Sequence, residues 1–279
     1  MMQNKFLNNR SFLRQLASGV HYTATSPGPY RLLFIAIHGN ESCGVEAYLK
    51  ISSKIPNLLQ DGSLEVRLGN PVAFLLNQRS FNKDLNRCFT VSDIPQYETK
   101  RCKTLINSLQ KADLFLDIHS TSAPGPSFLL PSKNGHSLCQ QLPVNLVIHG
   151  LAQKCTGTTL TVVDEINTEG TVVECGQHAD ESAVAVAIEC ITNFIQSQTS
   201  NRKKITVKNQ TVLQCPSSVV ADEGFQFVKP ISFMQKFVRN QLIARSSHKE
   251  FRCPYSEAFV IMPNVNPQPG EEAFYWGIQ

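Results

Sequence analysis

Over residues 1–200 the chain alternates short apolar runs with amphipathic stretches, and this alternation commits it to a layered α/β fold. Strands are expected at 31–37, 64–68, 114–119, 146–148, 159–163 and 171–174. Helices are expected between them. One spans 41–54 and stops before Pro56; another opens at Ser92 or Asp93, with Pro95 in its first turn, and runs to about 110; a third spans 179–198. After residue 199 the texture changes to short alternating segments at 205–212, 225–228 and 258–262, separated by Pro216, Pro230, Pro254 and Pro263. That spacing predicts a small β unit, a sandwich or a barrel.

Charge and apolar run length exclude several classes. The net charge is +4, and the surplus of Lys and Arg, 10 against 6 acids, lies entirely beyond position 200. Its one cluster, Arg202, Lys203, Lys204 and Lys208, falls in an apparent linker and reads as a solvated turn, so no nucleic-acid partner is expected. The longest apolar runs, 32–37 and 183–188, are far shorter than the ~20 residues a bilayer helix needs, so no membrane partner is expected. Lys5, Arg10 and Arg14 stand among polar residues without an apolar stretch, which argues against a signal peptide. The 9 cysteines form no C-x-x-C pair and suit a reducing, cytoplasmic location.

Chemistry-bearing residues gather where strands end. The run 32–37 leads into His38-Gly39-Asn40-Glu41, at the strand edge where open α/β sheets place ligands. Alone, H-x-x-E is a weak signal, equally met by an exposed His beside a helix-start Glu. In 114–121 an apolar run closes on Asp117 and His119, two apart and therefore on one face. Buried polar groups of this kind are either paired with each other or coordinated. His38, Glu41 and His119 together make a two-His, one-carboxylate set suited to a catalytic zinc, with Asp117 behind an imidazole. Arg79 and Arg87, on a presumed loop after Asn70-Pro71, are either surface residues or a clamp for carboxylates and oxyanions. Glu174 ends an apolar strand between glycines, as a general base beside a metal or as an edge carboxylate. Cys175 has no His paired by spacing and reads as a structural thiol.

The ordered set His38-Gly-Asn-Glu41, Asn70-Pro71, Arg79, Asp84-Leu-Asn86-Arg87, Asp117-Ile-His119 and Val-Glu174 resembles the aspartoacylase and succinylglutamate desuccinylase family. The resemblance implies a zinc-carboxypeptidase-like mixed sheet flanked by helices, with a catalytic domain at 1–200 and a C-terminal β domain at 201–279 that closes over the active site. It implies a zinc amidohydrolase that removes the acyl group from a small N-acyl amino acid, and a homodimer as a generic expectation. Carried over by motif, His38, Glu41 and His119 would hold one Zn2+ per chain. Glu174 would be the base, Arg79 would polarise the scissile carbonyl, and Asn86 and Arg87 would grip the substrate α-carboxylate. Tyr275, in Glu272-Ala-Phe-Tyr-Trp-Gly277, matches a tail segment whose tyrosine reaches the substrate.

One departure bears on the substrate. Aspartoacylases hold a side-chain carboxylate with an arginine shortly before the catalytic glutamate, whereas no Lys or Arg occurs from Cys155 to Asn201 here. Asp164, Glu165 and Glu169 occupy that stretch, so a neutral or cationic side chain is expected, unless Arg245 or Arg252 substitutes. Two rival readings are a metallocarboxypeptidase acting on a peptide C-terminus and a non-catalytic binding module of the same fold.

Overall fold

The computed structural model describes residues 10–90, 96–178, 180–198 and 209–279. The first part forms one mixed eight-stranded sheet in the order β1-β3-β2-β4-β7-β5-β6-β8. Its strands are β1 (Val20–Thr23), β2 (Ser26–Ile35), β3 (Asp61–Leu68), β4 (Leu114–Thr121), β5 (Phe128–Pro131), β6 (Leu146–His149), β7 (Glu169–Gln177) and β8 (Thr211–Gln214). The central strands β3, β2, β4 and β7 run parallel, while β1 pairs antiparallel with β3, and β5 pairs antiparallel with β7 but parallel with β6. Parallel central strands need both faces covered, and the near-continuous apolar character of β2 and β4 meets that need.

The helices, in chain order, are α1 (Arg10–Ser18), α2 (Cys43–Ile51), α3 (Ile55–Leu58), α4 (Pro71–Leu76), α5 (Tyr97–Leu109), α6 (His136–Cys139), α7 (Thr159–Glu165) and α8 (Glu181–Gln196). Alternation along β2 divides the core. Leu33 and Ile35 pack with α1, α2 and α8 on one face, and Leu32 and Phe34 with α5 and α7 on the other. The expected helix at 41–54 is realised as α2 followed by a 3-10 turn, Ser52–Lys54. The expected helix start at Ser92 to Pro95 and the basic cluster at 202–208 lie outside the described residues.

The expected strand at 159–163 is instead the helix α7. Its β-branched residues suggest a strand, but its first turn is capped too well for that preference to prevail. Thr158 and Thr161 exchange hydroxyl-to-backbone bonds at 3.2 Å, and Asn86 Oδ1 accepts the Thr159 N–H at 3.0 Å. Leu160, Val162 and Val163 then complete the apolar face under the sheet.

Beyond residue 209 the chain first extends the main sheet, with β8 beside β6. It then forms a four-stranded sheet, β11-β14-β15-β9, and a three-stranded one, β10-β12-β13. These use β9 (Ser218–Val220), β10 (Gln226–Phe227), β11 (Lys236–Val238), β12 (Leu242–Arg245), β13 (Glu250–Arg252), β14 (Glu257–Ile261) and β15 (Glu272–Gly277). Both small sheets share a core around Phe225, Phe237, Phe274 and Trp276. A second cluster, Phe128, Ile148, Leu213 and Ile261, joins them to the edge of the main sheet. Among the described residues no helix is long and apolar enough to cross a membrane.

At the amino-terminal side of the sheet a fully buried guanidinium stitches the layers. Arg31 donates to Asp61 Oδ1 at 2.7 Å, to the Asp61 carbonyl at 2.9 Å and to the Ser197 carbonyl at 2.7 Å. Asp61→Ala strips the anion from a charge that cannot reach water. It is expected to cost about 3 kcal/mol, read as a fall in Tm of roughly 6 °C in a thermal melt.

Candidate metal centre

The site is assembled where β2 and β4 end side by side. After β2 the chain passes through Ala36, in the left-handed region at φ 52°, and delivers His38, Gly39 and Glu41 before α2 begins at Cys43. Gly39 is required by proximity. A Cβ there would stand 2.1 Å from the Ala73 carbonyl carbon, and its N–H donates to Arg79 O at 3.2 Å. The ligand turn therefore lies directly on the segment 70–79. Asn70 caps α4 by accepting from Ala73 N at 3.1 Å. The buried Glu98 of α5 receives Phe81 N at 2.8 Å and Asn82 N at 3.0 Å, pinning the loop that carries Arg79 and Asp84.

Glu41 lies between two imidazoles. Its Oε1 is 2.7 Å from His38 Nδ1, its Oε2 is 3.0 Å from His119 Nδ1, and Oε2 also accepts the Ser120 N–H at 3.1 Å. All three side chains are buried, and one donor atom from each falls within 4.8 Å of the others, so the group could hold a metal ion. The opposite ring nitrogens each meet an aspartate. His38 Nε2 is 3.1 Å from Asp84 Oδ1, and His119 Nε2 is 3.1 Å from Asp117 Oδ2, which in turn accepts from Thr159 Oγ1 at 2.9 Å. Two Nδ1 atoms and a carboxylate converging, each imidazole backed by an acid, fit a divalent transition metal.

The electrostatics follow from this packing. Burial alone would raise the Glu41 carboxyl, but His119 and His38 outweigh it and hold it below the usual carboxylate range. Burial alone would lower His119, but Asp117 and Glu41 raise it well above the ordinary imidazole value. Glu174, in register with His119 on the adjacent strand, differs from these. Burial pushes its carboxyl up to about 7, His119 opposing and Glu41 adding to the shift, and its Oε2 is buried without a hydrogen-bond partner.

The remaining sequence-derived candidates occupy the rim. Arg79 is half exposed on the loop, bound to Asp84 Oδ2 at 2.8 Å, with Nη1 3.9 Å from Glu41 Oε1. Asn86 and Arg87 lie in a 3-10 turn, Leu85–Arg87, rather than in plain loop. Arg87 is exposed, and both it and the Cys155 thiol act on the Tyr275 hydroxyl. Of the acids expected to repel an anionic side chain, Glu169 is placed away from Glu174. Glu169 opens β7, roughly 16 Å of strand from Glu174, and Asp164 is engaged by Lys133 N and Gln153. Arg245 and Arg252 pair with Glu250. Sequence reading gave no role to Asp84 behind His38, to Glu98 or to His178, whose Nδ1 lies 2.8 Å from Ser120 Oγ. Only the first of these sat inside a recognised motif.

The pattern of the "Succinylglutamate desuccinylase/Aspartoacylase catalytic domain" matches residues 27–197. A probable aspartoacylase of Nostoc sp. is 31% identical over 158 residues, covering 50% of this chain and 52% of that protein. An N-acyl-aromatic-L-amino acid amidohydrolase (carboxylate-forming) of Rattus norvegicus is 38% identical over 103 residues, 31% of each chain. The chain thus spans about half the length, or less, of the curated relatives it matches. In fold it is similar to succinylglutamate desuccinylase of Vibrio cholerae, with TM-score 0.76, 16% identity, and 94% and 85% of the two chains covered. It is likewise similar to the product-bound ectoine utilization protein of Ruegeria pomeroyi, with TM-score 0.74, 18% identity, and 94% and 88% covered.

Two substitutions test the centre. Asp117→Ala is expected to weaken binding of Zn2+ or Co2+ by about 10–100-fold, measured by competition with a chromogenic chelator. Gly39→Ala is expected to abolish stoichiometric binding, because the new methyl displaces the ligand turn from Ala73. Unchanged affinity in both would remove the metal from this cluster.

Proposed function

The chain belongs to the succinylglutamate desuccinylase/aspartoacylase family, and from that premise we propose that it is a zinc-dependent hydrolase of a small N-acyl amino acid, splitting the amide into a carboxylate and a free amine. The observation that carries the reading is Glu174, in register with His119 beside the two-His, one-Glu cluster, with its Oε2 buried and unpartnered and its carboxyl raised by burial. A group in that state takes a proton and returns it near neutral pH.

His38, Glu41 and His119 would hold one zinc per chain, with Asp84 and Asp117 fixing the imidazole orientations. Zinc bound there supplies a Lewis acid and a water nucleophile competent at neutral pH. Glu174 removes the proton of the attacking water and delivers it to the departing nitrogen. Arg79, exchanging its contact with Asp84 for the substrate, places a guanidinium against the acyl oxygen as negative charge develops there. Asn86 spends its carbonyl on the Thr159 N–H, which leaves its amide NH2 to donate to the α-carboxylate. Arg87 supplies the opposing cation, and the Tyr275 hydroxyl lies at the same edge.

Amine release from a panel of N-acetyl, N-formyl and N-succinyl amino acids tests the reading. Glu174→Gln is expected to lower kcat by about 10²–10⁴-fold with zinc still bound. Arg79→Ala is expected to lower it by about 10²–10³-fold. Chelation should abolish release and zinc should restore it. A zinc-loaded protein that releases no amine from any member leaves the proposal without support.

A further inference from the structure

At the carboxyl end of β7 the sheet pairing slips by one residue between the pairs His119 with Glu174 and Thr121 with Gln177. Gly176 occupies the slip at φ 116°, a value that only glycine adopts without strain. The chain turns there and places His178 over the end of β4. Its N–H donates to Thr121 O at 2.9 Å, and its Nδ1 lies 2.8 Å from Ser120 Oγ. Ser120 is itself fixed, because it is buried and its N–H is committed to Glu41. The backbone of His178 is thus fixed on Thr121 and its ring on Ser120, while its Nε2 makes no hydrogen bond among the described residues.

We propose that His178 reads the substrate side chain, its Nε2 offering one hydrogen bond, so that the site takes N-acyl amino acids with a neutral polar side chain in preference to those with a carboxylate. The inference rests on the proposed deacylase function and specifies its substrate class. Ser120 joins the half-buried ring to the His38, Glu41 and His119 cluster, its N–H donating to Glu41 at 3.1 Å and its Oγ lying 2.8 Å from His178 Nδ1. Burial depresses its pKa, and Arg79 and the two cluster imidazoles add to the depression against Glu41, which favours the neutral ring. No Lys or Arg lies between Cys155 and Asn201, Asp164 and Glu169 are engaged or placed elsewhere, and Arg245 and Arg252 are paired with Glu250. Arg79 and Arg87 are assigned to the acyl oxygen and the α-carboxylate, so selection for an amide over a carboxylate is assigned to His178.

The test uses the full chain, zinc-loaded and carrying Glu174→Gln to block turnover. Binding of N-acetyl-L-asparagine and N-acetyl-L-aspartate, which differ only in amide against carboxylate, is measured by calorimetry. The asparagine ligand is expected to bind about 10-fold more tightly or better. Adding His178→Ala should bring the two affinities to within about 3-fold, and His178→Arg should reverse the preference. Each variant is first matched to its parent in Tm and zinc stoichiometry. A ratio untouched by His178→Ala, a parent that prefers aspartate, or a parent that binds neither ligand overturns the inference. Amine release by the chain with Glu174 intact is scored separately. Its persistence with a failed ratio removes only the role of His178, and its loss with an intact ratio removes only the deacylase.

Discussion

Everything at this site depends on one buried carboxylate shared by two buried imidazoles. Glu41 gives one oxygen to His38 and the other to His119 and the Ser120 amide. Ionised groups so far from water would cost several kcal/mol each if left unmatched. The fold meets that cost by closing the circuit, with Asp84 behind one ring and Asp117 behind the other. The arrangement confines charge to a small volume and leaves Glu174 at its margin, its Oε2 buried without a partner and its carboxyl raised by burial.

Holding that circuit is the task of elements that carry no chemistry themselves. Gly39 lets the ligand turn rest on Ala73, and Glu98 secures the loop that supplies Asp84 and Arg79. Asn86 caps α7, so the same helix start that offers Thr159 to Asp117 also fixes the 3-10 turn bearing Arg87. The His38–Glu41–His119 cluster, the rim arginines and α7 are consequently coupled, and a disturbance of one packing contact reaches that cluster through the backbone.

Legibility in the sequence followed locality. His38, Glu41, His119 and Glu174 could be singled out because each stands in the carboxyl-terminal half of a strand or just beyond it, and those ends gather on one edge in open α/β sheets. Strand 114–119 and the helix that became α8 were readable from apolar periodicity, since both are covered on the faces that the pattern requires. The segment 159–163 was misread because its β-branched residues favour a strand, while the capping that overrides them comes partly from Asn86, 73 positions away. The charge argument drawn from Asp164, Glu165 and Glu169 loses Glu169 for a related reason: it opens the strand on which Glu174 lies five residues later.

The sequence by itself determined the layered α/β class, the change to a β-rich texture after residue 199, and which His, Asp and Glu residues stand near strand ends. These follow from apolar period and from residue type at strand ends, which are local properties. Only the tertiary structure decided that Asp84 stands behind His38, that Glu98 holds the Arg79 loop, that β8 completes the main sheet, and that Gly176 turns His178 toward Ser120. Each of these joins segments through space, by a hydrogen bond or a packing limit between residues whose separation along the chain carries no periodic signal.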